Sequence, residues 1–181
     1  VNTTHKLYTT KHNVIDFNAD DNGLWLIHSS PDSNYTIVTK INETTLAIQN
    51  SFNISVYHDK VNLLAFNELN LTYSFSLKLG EMFIACGILY GVDSASERNT
   101  KIRLALDLYN KKLLDVDINF SNPFNSTSTL GYNHLTKDLY SWSMGNQLTY
   151  PVKINALGTN ETGQSSESIE PGASYSRYSK N

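Results

Sequence analysis

Two runs of alternating apolar and polar residues flank a short polar segment, and they constrain the fold more than any other feature of the chain. The apolar positions are Ile102, Leu104, Leu106 and Leu108 in the first run, and Leu114, Val116, Ile118 and Phe120 in the second. An amphipathic helix would need apolar residues three to four positions apart, whereas these runs have a period of two. The pattern therefore predicts a β-hairpin with one buried face.

Short stretches rich in β-branched and aromatic residues predict further strands along most of the chain. They cover residues 23–28, 35–41, 45–48, 71–77, 139–142 and 147–154, and turn residues separate them. The segment 82–92 is apolar at both odd and even positions, which predicts one strand buried on two sides. No long helical pattern interrupts the series. The fold class is therefore all-β, and periodicity alone leaves a sandwich, a barrel or a propeller open.

Composition changes near the C-terminal end. Residues 158–181 are rich in Gly, Ser and Glu and contain few apolar side chains. A segment of this kind cannot bury enough apolar surface to offset the conformational entropy lost on ordering. The sequence predicts a folded domain over residues 1–157 followed by a flexible tail over residues 158–181.

Acceptor triplets for N-linked glycosylation are dense, and none has proline in its middle position. They begin at Asn2, Asn34, Asn42, Asn53, Asn70, Asn119, Asn125 and Asn160. Such triplets mark surface positions in chains that enter the secretory pathway. They predict a secreted glycoprotein or the ectodomain of a membrane protein. Asn34, Asn42 and Asn125 fall in predicted loops and are the better candidates, whereas Asn119 lies at the end of a predicted strand.

Charge and hydropathy argue against two kinds of partner. The formal net charge is -3, and the 14 Lys and Arg residues are scattered along the chain, so we expect no nucleic-acid partner. No apolar run approaches the roughly 18 residues that a membrane-spanning helix needs, so we expect no membrane insertion by this chain. Val1 follows no apolar signal core, and we expect any targeting segment to lie upstream.

Motifs for catalysis are lacking in the sequence. The five histidines have no paired spacing for a metal, and no nucleophile elbow or phosphate-binding glycine loop occurs. Cys86 has apolar neighbours that disfavour a thiolate nucleophile, and as an odd cysteine it is either a buried thiol or a bridge to another polypeptide. Asp20 and Asp21 have turn character. Asp16 lies inside a predicted strand and either faces outward or is held inside by a cation. We expect no enzymatic activity.

A set of motifs, taken in order along the chain, resembles the olfactomedin domain family over about residues 13–154. They are Asp20-Asp-Asn-Gly-Leu-Trp25, Ile37-Val-Thr-Lys-Ile-Asn42, Met82-Phe-Ile-Ala-Cys-Gly-Ile-Leu-Tyr90, Lys137-Asp-Leu-Tyr-Ser-Trp142 and Thr149-Tyr150. The resemblance implies a five-bladed β-propeller, of which this chain supplies about the last three blades. It also implies an extracellular protein-binding module in cell adhesion, matrix organisation or receptor signalling. The alternative from the residues is a carbohydrate-binding extracellular β domain that uses Trp142, Tyr140 and Tyr150.

Two site predictions come from the resemblance alone. Cys86 matches a family cysteine that forms a disulfide with a second cysteine near the start of the domain. That partner cysteine is therefore expected outside this chain, in the missing N-terminal part. Many family members hold Ca²⁺ in a central channel, through positions that match Asp16, Glu81, Met82 and Leu130. A further family ligand, an aspartate, is replaced here by Gly131, and Glu81 replaces a neutral amide. Asp16 and Glu81 still supply two carboxylates, so a calcium site is one expectation and a metal-free channel is the other.

Overall fold

The computed structural model describes residues 15–29, 35–57, 60–64, 70–74, 80–152, 168–169 and 176–177. Within these ranges the chain forms strands and turns and no helix, so the all-β fold class is confirmed. The strands divide between two compact units, Val1–Lys78 and Leu79–Asn181.

The first unit contains one antiparallel sheet in which sequential strands are neighbours. Its strands are β1 Ile15–Asp20, β2 Gly23–Ser29, β3 Tyr35–Ile41, β4 Ile48–Tyr57, β5 Lys60–Leu64 and β6 Asn70–Ser74. Trp25, Leu26 and Ile27 are consecutive in β2, and all three are buried. Since successive side chains of a strand point to opposite faces, β2 is buried on both.

The second unit contains two sheets. One has the strand order β15-β11-β9-β8-β7, with β10 also paired to β9, and the other has the order β12-β13-β14-β16. The strands are β7 Glu81–Ala85, β8 Ile88–Val92, β9 Asn99–Asp107, β10 Lys112–Leu113, β11 Ile118–Ser121, β12 Thr129–Asn133, β13 Asp138–Ser143, β14 Asn146–Pro151, β15 Ser168–Ile169 and β16 Ser176–Arg177.

Those two sheets pack face to face through one apolar core. Its buried members are Phe83, Ala85, Val92, Ile102 and Phe120 from one sheet, and Leu130, Tyr132, Leu139, Leu148 and Tyr150 from the other. The rings of Phe120 and Tyr150 meet across the interface with their centroids 4.8 Å apart. This packing places β12 beside β7, the first strand of the neighbouring sheet.

The hairpin predicted around Asn110 is confirmed, although its single buried face is not. β10 and β11 both pair antiparallel with β9. A β-bulge interrupts β9, because Val92 pairs with Ile102 while the adjacent Gly91 pairs with Leu104. The extra residue, Arg103, shifts the alternation by one position, so Ile102 and Leu104 lie on opposite faces of the sheet. Both are buried, and the sheet is therefore covered on both sides.

The prediction of one strand over residues 82–92 is wrong, because the segment folds back on itself. β7 and β8 form a hairpin joined by Cys86 and Gly87, whose φ angles are 52° and 75°. Positive φ at both central residues is the signature of a type I′ turn. Both strands are apolar on both faces, so neither periodicity nor composition marks the reversal. The strand predicted over residues 45–48 is also wrong, since residues 43–45 form a turn and β4 begins at Ile48.

The predicted tail lies mostly outside the described residues. Two short strands are described within it: Ser168–Ile169 pairs in parallel with Asn119 and Phe120, and Ser176–Arg177 pairs with Asn146 and Gln147. The boundary between the folded domain and a flexible tail at residue 157 stays a prediction.

The turn between β13 and β14 generates a stability prediction. Met144 and Gly145 have φ angles of 50° and 78°, and Met144 is 73% exposed, so its side chain gains little from packing. Asn-Gly is the preferred sequence of a type I′ turn, since Asn tolerates positive φ. We expect Met144→Asn to raise the free energy of unfolding of the chain by about 0.5–1 kcal/mol in urea denaturation. Gly145→Ala should lower it, because alanine resists positive φ; a gain with Gly145→Ala would contradict the turn assignment.

Candidate functional site

Polar side chains occupy the buried face of β1, which reverses the usual pattern of a strand. Asn18 and Asp20 are buried and Asp16 is half-buried, whereas Phe17 is 58% exposed. Positions 16, 18 and 20 share one face because the side-chain period is two. The candidate ligand Asp16 is therefore part of an inward polar row, and of the two orientations open from sequence the outward-facing one is excluded.

The Asp16 carboxyl is in a setting that disfavours its charge. Burial raises the pKa of Asp16, and hydrogen bonds from the Asn18 side chain and the Phe17 backbone only partly oppose this effect. A partly buried carboxyl group of this kind is stabilised either by a nearby cation or by protonation.

The Asp20 carboxylate holds the β1–β2 turn together. Its Oδ1 accepts hydrogen bonds from the backbone N–H of Asn22 and from Nε1 of Trp25, each at 2.9 Å. Asp20 is only 4% exposed, and Nζ of Lys40 lies 5.4 Å from the centre of the Trp25 ring. The turn role predicted for Asp20 is confirmed, and this carboxylate is engaged in structure.

The other three candidate ligand positions lie together in the second unit. Glu81 and Met82 begin β7, and Leu130 is the second residue of the adjacent β12. Like Asp16 at the start of β1, these three positions lie at the start of the first strand of their sheets. The Leu130 side chain is 1% exposed in the apolar core, so only its backbone carbonyl is a candidate donor.

Position 131, where the family aspartate would stand, does not fit a carboxylate in this chain. Gly131 pairs across the sheet with Tyr140. A Cβ atom at Gly131 would lie 3.0 Å from Cε1 of Tyr140 and still closer to its Cζ and hydroxyl oxygen. Among the described residues, no three His, Cys, Asp or Glu side chains group closely enough to hold a metal. The donor set implied by the resemblance is therefore not completed by β12.

Cys86 occupies the first central position of the β7–β8 turn. Its side chain is half-buried and its φ of 52° is unusual for a residue with a side chain. A left-handed conformation costs about 1 kcal/mol or more for a non-glycine residue. The cysteine is thus held in the turn of the β7–β8 hairpin, between Ala85 and Ile88.

The glycosylation candidates occupy different local structures. Asn42 follows β3, and its Oδ1 accepts hydrogen bonds from the N–H of Thr44 at 3.0 Å and of Thr45 at 2.8 Å. Asn125 is exposed in a turn with φ 53°. Asn53 is in β4, Asn70 begins β6 and Asn119 is exposed in β11. Asn2, Asn34 and Asn160 lie outside the described residues.

A loop surface that sequence reasoning missed forms at one end of the second unit. The carbonyl oxygen of Ala95 accepts hydrogen bonds from the Thr127 N–H at 2.8 Å and from Nδ2 of Asn122 at 2.9 Å. The Oγ of Ser94 accepts from the N–H groups of Ser96 and Glu97, each at 3.2 Å. The two bonds to Ala95 tie the loop at residues 93–98 to the loop at residues 122–128, and the two bonds to Ser94 order the first loop internally. Only the small polar residues of both loops hint at this arrangement in the sequence.

The aromatic residues considered for sugar binding divide into two groups. Tyr150 is fully buried in the core, with 0% exposure. Tyr140 is half-buried and Trp142 is 39% exposed, and the two are separated by one residue on β13, so they share a face of the sheet. That face is opposite to the one that carries Leu130 and Tyr132 into the core.

All-β sheets with these motifs define an olfactomedin-like domain, and the family model of that description matches residues 1–157. The chain belongs to the olfactomedin-like domain family. It is similar to myocilin of Rattus norvegicus, with 27% identity over 79% of this chain and 25% of the relative. Myocilin of Macaca fascicularis is 27% identical over 79% of this chain and 26% of the relative, and myocilin of Homo sapiens is 26% identical over 79% and 25%. The chain thus spans about a quarter of the length of these relatives.

Family membership supports an extracellular protein-interaction module in general terms. Within the part of the chain that the structure describes, no helix has the length and hydropathy to cross a membrane.

The buried Asp20 carboxylate gives a test of the β1–β2 turn. Asp20→Ala removes the oxygen that accepts hydrogen bonds from the Asn22 N–H and from Nε1 of Trp25. We expect the free energy of unfolding to fall by about 2–3 kcal/mol. Asp20→Asn keeps an acceptor oxygen and should cost less. Urea unfolding followed by tryptophan fluorescence measures both variants. The exposed Asp115 provides the control, and Asp115→Ala should change stability by less than about 0.5 kcal/mol; equal losses at Asp20 and Asp115 would contradict the structural role.

Proposed function

We propose that this chain is part of an extracellular protein-binding module of olfactomedin type, acting in cell adhesion, matrix organisation or receptor signalling. The observation that carries the proposal is the family match over residues 1–157. We also propose that the module acts without catalysis. Its prominent polar side chains support this view, since Asp20, Asn42, Ser94 and Asn122 all bind backbone or side-chain groups that hold turns and loops.

We propose that the three sheets are three blades of a five-bladed propeller. The strand order supports this architecture, because each sheet begins with an antiparallel meander: β1 to β4, then β7, β8, β9 and β11, then β12, β13 and β14 with β16. In such a propeller two further blades complete the ring, and the N-terminal part of the domain that supplies them is a partner of this chain. In the same proposal, Cys86 forms a disulfide with a cysteine in that part.

The loop surface at residues 93–98 and 122–128 is the proposed recognition surface. Its loops are tied together by hydrogen bonds to Ala95, and it carries the exposed side chains of Glu97, Arg98 and Asn125. A loop that is already ordered loses less conformational entropy when a partner binds. Loops held by a rigid β scaffold are a common location for binding sites.

Binding to cells tests the proposed function. The chain, together with the N-terminal part of its domain, is secreted from cultured mammalian cells with an affinity tag and titrated onto cells. We expect saturable binding that is lost when the cells are treated with trypsin and kept when their surface glycans are trimmed. The double charge reversal Glu97→Lys with Arg98→Glu leaves the net charge unchanged and should weaken binding about tenfold or more.

The matched control reverses exposed charges at the other end of the same sheet. Lys112→Glu with Asp115→Lys should bind as the unaltered protein does, since these residues lie next to the β9–β10 turn. Equal weakening by both pairs would contradict the assignment of the loop surface. Absence of any saturable binding would contradict the function.

A carbohydrate-binding domain is the second candidate, and the exposed Trp142 beside Tyr140 favours it. An aromatic ring next to polar groups is a common platform for a sugar ring. If binding is lost on glycan trimming and kept after trypsin, and a glycan array shows a specific hit that Trp142→Ala abolishes, the protein-binding proposal is replaced by this one.

Glycosylation tests the proposed extracellular location. Thr44→Ala destroys the acceptor triplet of Asn42 and leaves the backbone hydrogen bonds to its Oδ1 in place. In protein secreted from mammalian cells, we expect this substitution to remove one enzyme-releasable N-glycan by intact mass. Thr45→Ala keeps the triplet and serves as the control. If treatment with the glycan-releasing enzyme leaves the mass of the unaltered protein unchanged, the extracellular location inferred from the triplets is contradicted.

A further inference from the structure

Gly131 and Tyr140 form a cross-strand pair in which the ring takes the space of the missing side chain. The two residues are directly opposite each other in β12 and β13. An added Cβ on Gly131 would lie 2.5 Å from Cζ of Tyr140 and 3.0 Å from Cε1, and nearest to the hydroxyl oxygen. Real Cβ atoms do not approach other atoms so closely, so the tyrosine ring covers the glycine backbone directly.

This pair lies on the sheet face that the apolar core does not use. Thr129, Gly131 and Asn133 of β12 share a face, and their cross-strand partners Trp142, Tyr140 and Asp138 share it with them. The alternate residues, Leu130 and Tyr132, enter the core of the second unit. Gly131 is nevertheless buried, which follows from the ring above it.

A glycine inside a strand is costly unless something compensates for it. It has no side chain for cross-strand packing and loses more backbone entropy on folding than any other residue. An aromatic ring laid across a cross-strand glycine restores the lost contact and shields the backbone hydrogen bonds of the strand. Tyr140 is placed to do this for Gly131, with Trp142 two residues further along the same face.

Position 131 is also the position at which the olfactomedin resemblance implies a cation-binding aspartate. Ca²⁺ requires six to eight oxygen ligands and depends on carboxylates for its affinity. Here the aspartate is absent, and the space next to the backbone is filled by a neutral phenol whose ring packs on the strand. Gly131 therefore supplies no side-chain ligand, and the Tyr140 ring in its present position leaves no room for one.

We propose that the Tyr140–Gly131 pair replaces cation ligation at the start of the third sheet, and that this chain is stabilised there independently of calcium. The proposal depends on the olfactomedin architecture proposed above, and it concerns stability alone. Loss of partner binding with an unchanged calcium response would count only against the function. A calcium response with intact partner binding would count only against this inference.

The first measurement is thermal unfolding of the chain together with the N-terminal part of its domain, with Ca²⁺ itself as the probe. The unaltered protein is unfolded with excess Ca²⁺ and with excess chelator, and calorimetric titration of Ca²⁺ accompanies it. We expect the same Tm in both conditions and no saturable heat of binding. A Tm that rises with Ca²⁺ and falls with chelator would overturn the proposal.

A double-substitution cycle measures the packing between the two residues. Gly131→Ala should lower Tm in the unaltered protein because its methyl group meets the ring. In a Tyr140→Ser background, which removes the ring, Gly131→Ala should lower Tm much less or raise it. Equal effects of Gly131→Ala in both backgrounds would show that the ring and the glycine are not coupled, and would overturn the proposal.

Tyr140→Phe separates the ring from its hydroxyl group. The ring accounts for the packing, so we expect this variant to keep most of the Tm, to remain sensitive to Gly131→Ala, and to be indifferent to Ca²⁺. If the unaltered protein responds to Ca²⁺ and Tyr140→Phe does not, the phenol oxygen acts as a ligand. The proposal is then wrong, and coordination by Tyr140 takes its place.

Discussion

The structure depends on the reversal of direction at the end of each strand. An antiparallel meander buries apolar side chains only if each strand returns beside the previous one within a few residues, in the correct register. The chain meets this requirement with tight turns. Some use positive φ, as at Cys86-Gly87 and Met144-Gly145, and others use a polar side chain that accepts backbone N–H groups. Asp20 and Asn42 do so in the first unit, and Asp107 does so in the second through the N–H groups of Tyr109 and Asn110.

This requirement accounts for the partners of several carboxylates in the described residues. Desolvation raises the pKa of Asp107, but hydrogen bonds from Asn110 and Tyr109 outweigh it, so the net pKa is lowered. Such a carboxylate is stabilised in its charged form by the turn that it holds. Asp93 similarly binds Nε of Arg103, the bulged residue of β9, at 2.6 Å. Asp107 thus holds a backbone turn, and Asp93 pairs with the side chain at the bulge, so both carboxylates have structural partners.

Local patterns predicted those elements whose signal is local. The period-two runs on either side of Asn110 predicted a hairpin, and the turn-forming character of Asp20 predicted its hydrogen bonds. The turn between β7 and β8 was not predicted, because apolar residues occupy both faces of both strands. The Cys-Gly pair also lacks the Asn or Asp that marks a type I′ turn. The bulge at Arg103 escaped because an extra residue in one strand is defined only by the pairing of β8 with β9. Of the strands that carry the candidate ligand positions, the one around Asp16 was predicted from the sequence, whereas β12 around Leu130 was not, because its residues alternate too weakly to mark a strand.

The contact between Gly131 and Tyr140 was not predictable from the sequence, and it bears on whether β12 takes part in a cation site. Gly131 alone is a missing ligand, and a missing ligand is compatible with a weaker cation site as well as with none. Tyr140 lies nine residues later in the sequence, and only the β12–β13 register places it opposite the glycine. With the ring in that position, the glycine is part of a packing arrangement that an aspartate would disrupt. The ring stabilises β12 through contact area and needs no charged partner. A carboxylate at position 131 would require the Tyr140 ring to move away from β12, so the ring now holds the strand at the position where the resemblance places a ligand.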